Sequence, residues 1–275
     1  ALDGEHLGQD SIPDFLSGSF STPDKVGHRW GQGSWEMLDT LLRLDRKIGR
    51  LLQALDKKVG KGRYALVLTS DHGSPPMPTR ALEPTKKRSK RGSRNAKLPS
   101  YRIPMSNILS AARRAALKTA GRGRWVQGVA HPFVTLTKAA HALPAKKKQR
   151  MLSAIVKALL KIRGMGNAYI AKKIAGDCSK RKGLQRAFCL SVNPAVAGDV
   201  IYGTKPNFFP SGDKHEAQSH GSPHRYDQQV PLVIYSPTHA PSKPSKQVSA
   251  LSIAPTLTHL LGVPKPHHAT SPPLP

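Results

Sequence analysis

A short apolar run that ends in Asp71, His72 and Gly73 places the strongest constraint on the fold of this chain. Residues 64–70 are partly β-branched and bounded by Gly62 and Gly73, which predicts a buried strand. Asp71 and His72 therefore fall just past the carboxyl end of that strand, where ligands collect in open α/β sheets. A neighbouring carboxylate and imidazole are typical ligands of a divalent metal such as Zn²⁺, but a turn carboxylate beside a surface histidine would give the same pair.

A second pair of a carboxylate and an imidazole lies upstream. Asp24 and His28 are four residues apart and follow residues 15–21, a segment that predicts another strand. If the chain turns helically here, both side chains lie on one face and can reach one ion. The alternative is a polar turn in which Asp24 serves as an N-cap.

The segment between the two pairs predicts a long helix. Ser34 is a suitable N-cap, and the helical pattern continues to about Val59. A stripe of apolar side chains at helical spacing predicts a core-facing surface: Leu38, Leu41, Leu42, Ile48, Leu52 and Leu55. The order strand, helix, strand predicts a βαβ unit with parallel strands, so both ligand pairs are expected at the same edge of the sheet.

The remaining elements are a mixture of helices and strands. The sequence predicts helices at 108–120, 149–161 and 252–262, and strands at 129–137, 168–171, 198–202 and 230–235. The strand at 198–202 is expected to be an edge strand or a hairpin arm. We expect a single domain over residues 1–275, with a basic loop rich in Pro, Gly and Ser at 74–104, a cap-like subdomain at 105–190 and a flexible tail at 264–275.

The chain is strongly basic, with a net charge of +28. Between Arg80 and Arg124 there are fourteen Lys or Arg residues and one acid, Glu83. Such a charge predicts partners that carry negative charge, such as phosphate esters, nucleic acid or anionic lipid. The densest run, residues 86–91, is expected to be a solvated loop. An electrostatic funnel for anionic substrates and a nucleic-acid-binding arm are the functional alternatives, and the lack of interleaved aromatic residues weakens the second.

Two further features concern the compartment of the protein. Cys178 and Cys189 flank a basic stretch and predict either a short disulfide loop in an oxidising compartment or two free thiols. No apolar stretch approaches the ~20 residues needed to span a bilayer, and the first residues lack the pattern of a signal peptide. Because the first residue is Ala1 and not Met, we expect that the chain has lost its start.

The candidate ligands form a recognisable set. Three motifs occur in order and are followed by a fourth segment: Asp24 with His28, Asp71 with His72, His220 before Gly-Ser-Pro, and residues 253–257. This set resembles the alkaline phosphatase superfamily, most closely its zinc phosphomonoesterase and nucleotide phosphodiesterase branch, over residues 15–75 and 191–264. The resemblance implies an α/β fold with a mixed, mainly parallel sheet sandwiched between helices, of which this chain would be a C-terminal fragment.

The resemblance also implies a site with two zinc ions. Asp24, His28 and His220 would bind one ion, and Asp71 and His72 would bind the other. The two ions would clamp the attacking and leaving oxygens of an in-line displacement at a phosphate ester. In the family, the nucleophile and one further Asp ligand lie upstream of the Asp24 motif, on strands that this chain does not contain, so no catalytic residue is assigned.

Other residues of the histidine-rich loop have lesser roles in this hypothesis. His220 is preferred as the ligand because Gly-Ser-Pro follows it, as in the family pattern. His215 and His224 are expected at the surface or behind the ligands. Asp227 either orients His220 or forms hydrogen bonds within its own turn.

The resemblance thus implies a secreted or periplasmic, metal-dependent phosphatase or phosphodiesterase with two divalent ions, expected to be Zn²⁺, and a phosphate ester as substrate. A sulfatase or another hydrolase branch of the superfamily is one alternative, because a metal scaffold does not fix the substrate. A non-catalytic basic binding protein, either a decayed relative or a fragment associated with nucleic acid, is the other alternative and rests on the net charge of +28 and on the missing nucleophile. The sequence predicts no oligomeric state.

Overall fold

The structure, a computed structural model, describes residues 2–76, 101–237 and 246–274. The chain divides into two compact units. Unit A comprises Ala1–Pro23, Leu38–Asp71 and Val230–Pro275, and unit B comprises Asp24–Met37 and His72–Gln229. The prediction of a single domain with a cap-like subdomain at 105–190 stays a prediction. Within the described residues, no helix has both the length and the apolar character of a membrane span.

Helices and strands alternate along the described chain. The helices are α1 Thr22–Trp30, α2 Trp35–Leu55, α3 Met105–Ala120, α4 Lys138–His141, α5 Ala145–Leu160, α6 Ala171–Ile174, α7 Gly183–Leu190, α8 Arg225–Gln228 and α9 Ile253–Leu261. The strands are β1 Leu66–Thr69, β2 Arg102–Pro104, β3 Val126–Ala130, β4 Phe133–Leu136, β5 Met165–Ile170, β6 Val200–Thr204, β7 Phe209–Ser211 and β8 Leu232–Tyr235. The predicted α/β class is therefore confirmed.

Unit B is built on a four-stranded sheet with the order β3-β4-β6-β5. Helices α3 and α5 pack against each other, and their apolar faces form one core with the sheet. Ile108 of α3 and Ile155 and Leu159 of α5 are completely buried in this core. The predicted helices at 108–120 and 149–161 are confirmed, because their apolar spacing did mark a buried face.

Strand β6 lies inside this sheet and corrects the prediction for residues 198–202. It pairs with β4 on one side and β5 on the other, and all of its residues are buried. The edge-strand prediction is therefore wrong. The strand has no polar face to present to water, because it contains Val200, Ile201 and Tyr202. Such a continuous apolar run is typical of a strand that is covered on both faces.

The predicted strand at 129–137 is a hairpin. Strands β3 and β4 pair antiparallel, with Ala130 opposite Phe133, and the turn contains the cis peptide bond between His131 and Pro132. Proline has no N–H to donate to a ladder, so it suits the turn better than the middle of a strand.

Unit A differs more from the predictions. Residues 15–21 form no strand before α1 begins at Thr22, so the predicted parallel βαβ unit is wrong. Strand β1 is confirmed but pairs antiparallel with β8, and its Leu68 is 40% exposed. In the described chain, parallel pairing occurs between β2 and β7, which makes the pairing mixed overall.

Helix α2 begins as predicted but does not bury the predicted stripe. Ser34 accepts a hydrogen bond from the Met37 amide, which confirms its role as N-cap. Three leucines of the stripe are about half exposed: Leu38 at 46%, Leu41 at 47% and Leu42 at 52%. The core-facing prediction is therefore wrong for these residues, because helical spacing fixes which side chains share a face and not what covers that face.

Two further segments have partial outcomes. Of the predicted basic loop at 74–104, residues 77–100, including the dense charge run at 86–91, lie outside the described residues, and Arg102–Pro104 form β2. The predicted helix at 252–262 is confirmed as α9, which ends at Leu261 and is followed by Gly262 in a left-handed conformation with φ 65°. At the predicted flexible tail, the Leu274 amide donates to Thr256 Oγ1 at 2.8 Å.

Candidate metal centre

Helix α1 places two of the predicted ligands on one face. Pro23 lies in its first turn, where the missing N–H costs no helical hydrogen bond, and Asp24 adds negative charge at the positive end of the helix. Four residues on, His28 returns to the same face, and its Nε2 lies 3.4 Å from Asp24 Oδ1. The helical alternative for this segment is therefore the correct one.

His220 completes a cluster with these two residues. Its Nε2 lies 3.1 Å from His28 Nε2 and 3.3 Å from Asp24 Oδ1. Among the described residues, Asp24, His28 and His220 form the one group of three that could hold a metal ion. All three side chains are partly exposed, between 28% and 41%.

His72 joins the same cluster. Its ring stacks on that of His220 with centroids 3.4 Å apart, and its Nε2 lies 3.7 Å from Asp24 Oδ1. The structure therefore brings four of the five predicted ligands together. Asp71, the fifth, follows β1 in unit A, where its Oδ1 lies 3.5 Å from Ser70 Oγ.

The hydrogen bonds of two histidines set the tautomers of their neutral rings. His28 Nδ1 lies 2.7 Å from Glu216 Oε1 and 3.0 Å from the Gln218 carbonyl oxygen, and both of these atoms are acceptors. His72 Nδ1 lies 2.9 Å from the Gly73 carbonyl oxygen. Each neutral ring therefore carries its proton on Nδ1, and each Nε2 presents a lone pair to the cluster.

This donor set fits a zinc ion. Tetrahedral ligands at about 2.0–2.1 Å from Zn²⁺ lie about 3.3 Å from one another. The three separations between Asp24 Oδ1, His28 Nε2 and His220 Nε2 are 3.1, 3.3 and 3.4 Å. Burial, followed by the nearby His72, lowers the pKa of His220, which favours the neutral imidazole that a metal needs.

The loop that carries His220 is tied to α1 and to β2. The Ala217 amide donates to the His28 carbonyl oxygen at 2.7 Å. Arg102 of β2 donates from its guanidinium to the carbonyl oxygens of Lys214 and Glu216. These contacts fix the position of the Glu216 carboxylate, whose side chain is 16% exposed, behind the His28 ring.

Comparison with known proteins identifies the family of this chain. The sequence matches the family described as type I phosphodiesterase / nucleotide pyrophosphatase over residues 3–224, a span that contains all five predicted ligands. The chain belongs to this family. The resemblance to the alkaline phosphatase superfamily is therefore confirmed, and family members are phosphoric ester hydrolases.

Curated relatives and solved structures extend the comparison. The chain is 29% identical over 268 residues to alkaline phosphatase PhoV of Synechococcus elongatus, covering 97% of this chain and 45% of PhoV. It is 27% identical over 269 residues to a Myroides odoratus protein named calcium-transporting ATPase, covering 97% of this chain and 47% of that protein. The crystal structure of alkaline phosphatase PafA has the same fold, with a TM-score of 0.81, 23% identity, and coverage of 99% of this chain and 49% of PafA. The chain thus spans about half the length of these proteins.

The other residues of the histidine-rich loop are now placed. His215 is exposed and its amide donates to Asp213 Oδ1, while His224 Nε2 lies 2.9 Å from the Thr204 carbonyl oxygen. Neither is part of the metal-ligand group. Asp227 Oδ2 accepts hydrogen bonds from the amide and hydroxyl of Ser222, so it shapes the turn that follows His220, and burial raises its pKa.

Sequence analysis missed two residues near the centre. Glu216, which contacts His28, is separated from it by 188 positions, and no local pattern joins the two. His131 lines a cavity of about 240 Å³ together with Tyr202 and Ser222. Burial lowers the pKa of His131 to about 4, so its ring is neutral near pH 7. His131 lies in the segment 129–137, which the sequence predicts as a strand, and nothing in that pattern indicated that His131 lines a cavity or has a lowered pKa.

Proposed function

We propose that this chain carries the metal-binding part of a two-zinc phosphoric ester hydrolase of the alkaline phosphatase type. The observation that supports the proposal is the convergence of Asp24 Oδ1, His28 Nε2 and His220 Nε2 at separations of 3.1 to 3.4 Å. Membership of the family supplies the reaction class, the hydrolysis of phosphate esters.

Each residue has a role in the proposal. Asp24, His28 and His220 would hold the first ion, since catalytic zinc sites commonly have three protein ligands. Asp71 and His72 would contribute to the second ion. When bound, the two ions stabilise the attacking and leaving oxygens at phosphorus. Glu216 keeps the His28 proton on Nδ1, so that its Nε2 remains a ligand.

The nucleophile is left unassigned in this proposal. Thr69 and Ser70 lie next to the Asp71 motif, but Thr69 Oγ1 donates to the Pro231 carbonyl oxygen at 3.0 Å and serves the β1–β8 pairing.

We also propose an oxidising compartment, secreted or periplasmic. The disulfide between Cys178 and Cys189, with Cα atoms 5.7 Å apart, supports this proposal.

Metal content is the first test of the site. We expect bound zinc in the purified chain, measured by elemental analysis, and its loss in His28→Ala and in His220→Ala. His215→Ala is the matched control, because this exposed histidine lies in the same loop as His220 and outside the ligand group. Unchanged zinc content in the first two variants would show that the site assignment is wrong.

Activity is the second test and separates the remaining hypotheses. Hydrolysis of an aryl phosphate monoester and diester is measured before and after treatment with EDTA. Turnover that EDTA abolishes supports a complete metal-dependent hydrolase. Bound zinc without turnover supports a metal-binding part that needs further residues for catalysis. Faster hydrolysis of an aryl sulfate than of the phosphate would favour the sulfatase branch instead.

The net charge of +28 favours one second candidate, a basic binding protein without catalysis. Its test is binding to random DNA at several salt concentrations, because counterion release makes the affinity fall with salt in proportion to the number of phosphate contacts. Metal-independent binding with a steep salt slope, in a chain that holds no zinc, would support this candidate over the hydrolase.

A further inference from the structure

A groove of about 400 Å³ lies in unit B and shares no lining residue with the metal centre. Helix α5, strand β5, helix α6 and helix α7 contribute to its walls. The lining has two parts. One part is apolar and consists of Val156, Ala168, Ile170 and Ile174. The other part is polar and contains three cations, Lys157, Lys173 and Arg181, and no acid.

The surroundings of the groove make it more positive. Residues 172–186 contain six Lys or Arg residues and one acid, Asp177. Asp177 is already engaged, because its Oδ1 accepts hydrogen bonds from the amide and hydroxyl of Ser179 and its Oδ2 lies 3.7 Å from Lys180 Nζ. A negatively charged ligand would therefore meet little competition from the protein's own carboxylates.

Arg181 is the third cation of the lining, and a hydrogen bond to the backbone holds its guanidinium in place. Its guanidinium donates to the Lys173 carbonyl oxygen at 3.0 Å, and its amide donates to the Cys178 carbonyl oxygen. Its Nε is buried and has no hydrogen-bond partner among the described residues. The guanidinium has further N–H donors besides the one bound to Lys173, and Arg binds phosphate oxygens through charge-assisted hydrogen bonds.

The disulfide makes this arrangement rigid. Cys178 and Cys189 close a loop of the chain that contains Arg181 and three more basic residues, Lys180, Lys182 and Arg186. A site held in its binding geometry loses less conformational entropy when the ligand binds. The groove also has the size and the largely apolar lining, with a few polar groups, that small-molecule sites commonly have.

We propose that this groove binds an organic phosphate of nucleotide size. Its phosphate contacts Lys157, Lys173 and Arg181, and its apolar ring lies over the aliphatic part of the lining. The site is separate from the metal centre, so the inference does not depend on the proposed function.

The test uses AMP, adenosine and inorganic phosphate as probes and isothermal titration calorimetry as the assay. The chain is treated with EDTA first, so that an ion at the metal centre cannot contribute to binding. We expect AMP to bind at least about tenfold more tightly than adenosine, which lacks the charge, and than inorganic phosphate, which lacks the apolar ring. Equal affinity for AMP and either of the other probes would overturn the proposal.

Variants locate the binding. Lys157→Ala with Lys173→Ala removes two exposed charges and is expected to weaken AMP binding roughly tenfold. The matched control, Arg113→Ala with Arg114→Ala, removes two exposed charges from α3 and should leave the affinity unchanged. If both double variants lose the same AMP affinity, the net charge of the chain attracts AMP, and the proposal that AMP binds in the groove is overturned.

Arg181→Gln tests the remaining cation. Glutamine retains a donor near the Lys173 carbonyl oxygen but removes the charge and the buried Nε. We expect weaker AMP binding and an unchanged circular dichroism spectrum. An unchanged AMP affinity in this folded variant would overturn the role of Arg181. Loss of zinc without loss of AMP binding, in His220→Ala, would show that the two sites are independent.

Discussion

Replacement of Glu216 by glutamine tests how the protein prepares His28 to bind a metal. The Glu216 carboxylate lies 2.7 Å from His28 Nδ1, and the side chain is 16% exposed, so water screens this charge only in part. The negative charge makes the imidazole a better ligand and fixes its tautomer. Removal of such a partner weakens metal binding by about 10- to 100-fold.

The structure places Glu216→Gln at the lower end of that range. The Gln218 carbonyl oxygen, 3.0 Å from the same Nδ1, still accepts its hydrogen bond, and the new amide oxygen can occupy the position of the carboxylate oxygen. Ring orientation is therefore kept, and only the effect of the charge is lost. We expect zinc to bind about tenfold more weakly, a change of about 1.4 kcal/mol.

Competition with a chelating dye of known zinc affinity measures this change. Glu5→Gln is the control, because it removes one negative charge at an exposed position in unit A. If Glu216→Gln and Glu5→Gln bind zinc with equal affinity, the carboxylate does not act through His28. Glu216 would then have no part in setting the His28 tautomer.

Three other perturbations have expected outcomes. Leu159→Ala, in the core at 0% exposure, should lower the free energy of unfolding by about 3–4 kcal/mol in urea, whereas Leu42→Ala, at 52% exposure, should lower it by less than about 1 kcal/mol. His131 has a folded-state pKa of about 4, below the ordinary 6.5, so its contribution to stability is complete above about pH 6.5 and is lost as the pH falls towards 4. His131→Gln should therefore flatten the pH dependence of stability over this range by about 3 kcal/mol, measured by urea unfolding at each pH. Reduction of the disulfide between Cys178 and Cys189 should lower stability by roughly 3 kcal/mol, seen as a lower melting temperature with dithiothreitol.

The candidate metal ligands could be predicted from the sequence because their signals are local. Asp24 and His28 lie on the same face of α1 because they are four residues apart. Asp71 and His72 follow a strand that its apolar run predicts. Glu216 could not be found in this way. Its contact with His28 depends on Arg102 and Ala217 holding the loop against α1 and β2, which is a property of the tertiary fold.

The fold, like the site, could be predicted from the sequence only where the signal is local. In α5, helical spacing predicted the helix, and its apolar face is buried because α3 and the sheet of unit B cover it. In α2, the same kind of spacing predicted the helix and its N-cap but not the exposure of Leu41 and Leu42. Periodicity reports the direction in which side chains point, whereas burial depends on a second surface that no local pattern encodes.

Gly73 connects the first sequence feature with the site. It marked the end of a strand in the sequence, and in the structure its carbonyl oxygen accepts the proton of His72 Nδ1. Its amide donates to the Asp227 carbonyl oxygen at 2.8 Å, and a Cβ atom at this position would collide with the carbonyl oxygen of Tyr226. A glycine is required for this close approach to the backbone near α8, and the approach sets the His72 ring beside His220. The glycine that marks the strand end in the sequence therefore positions a candidate metal ligand.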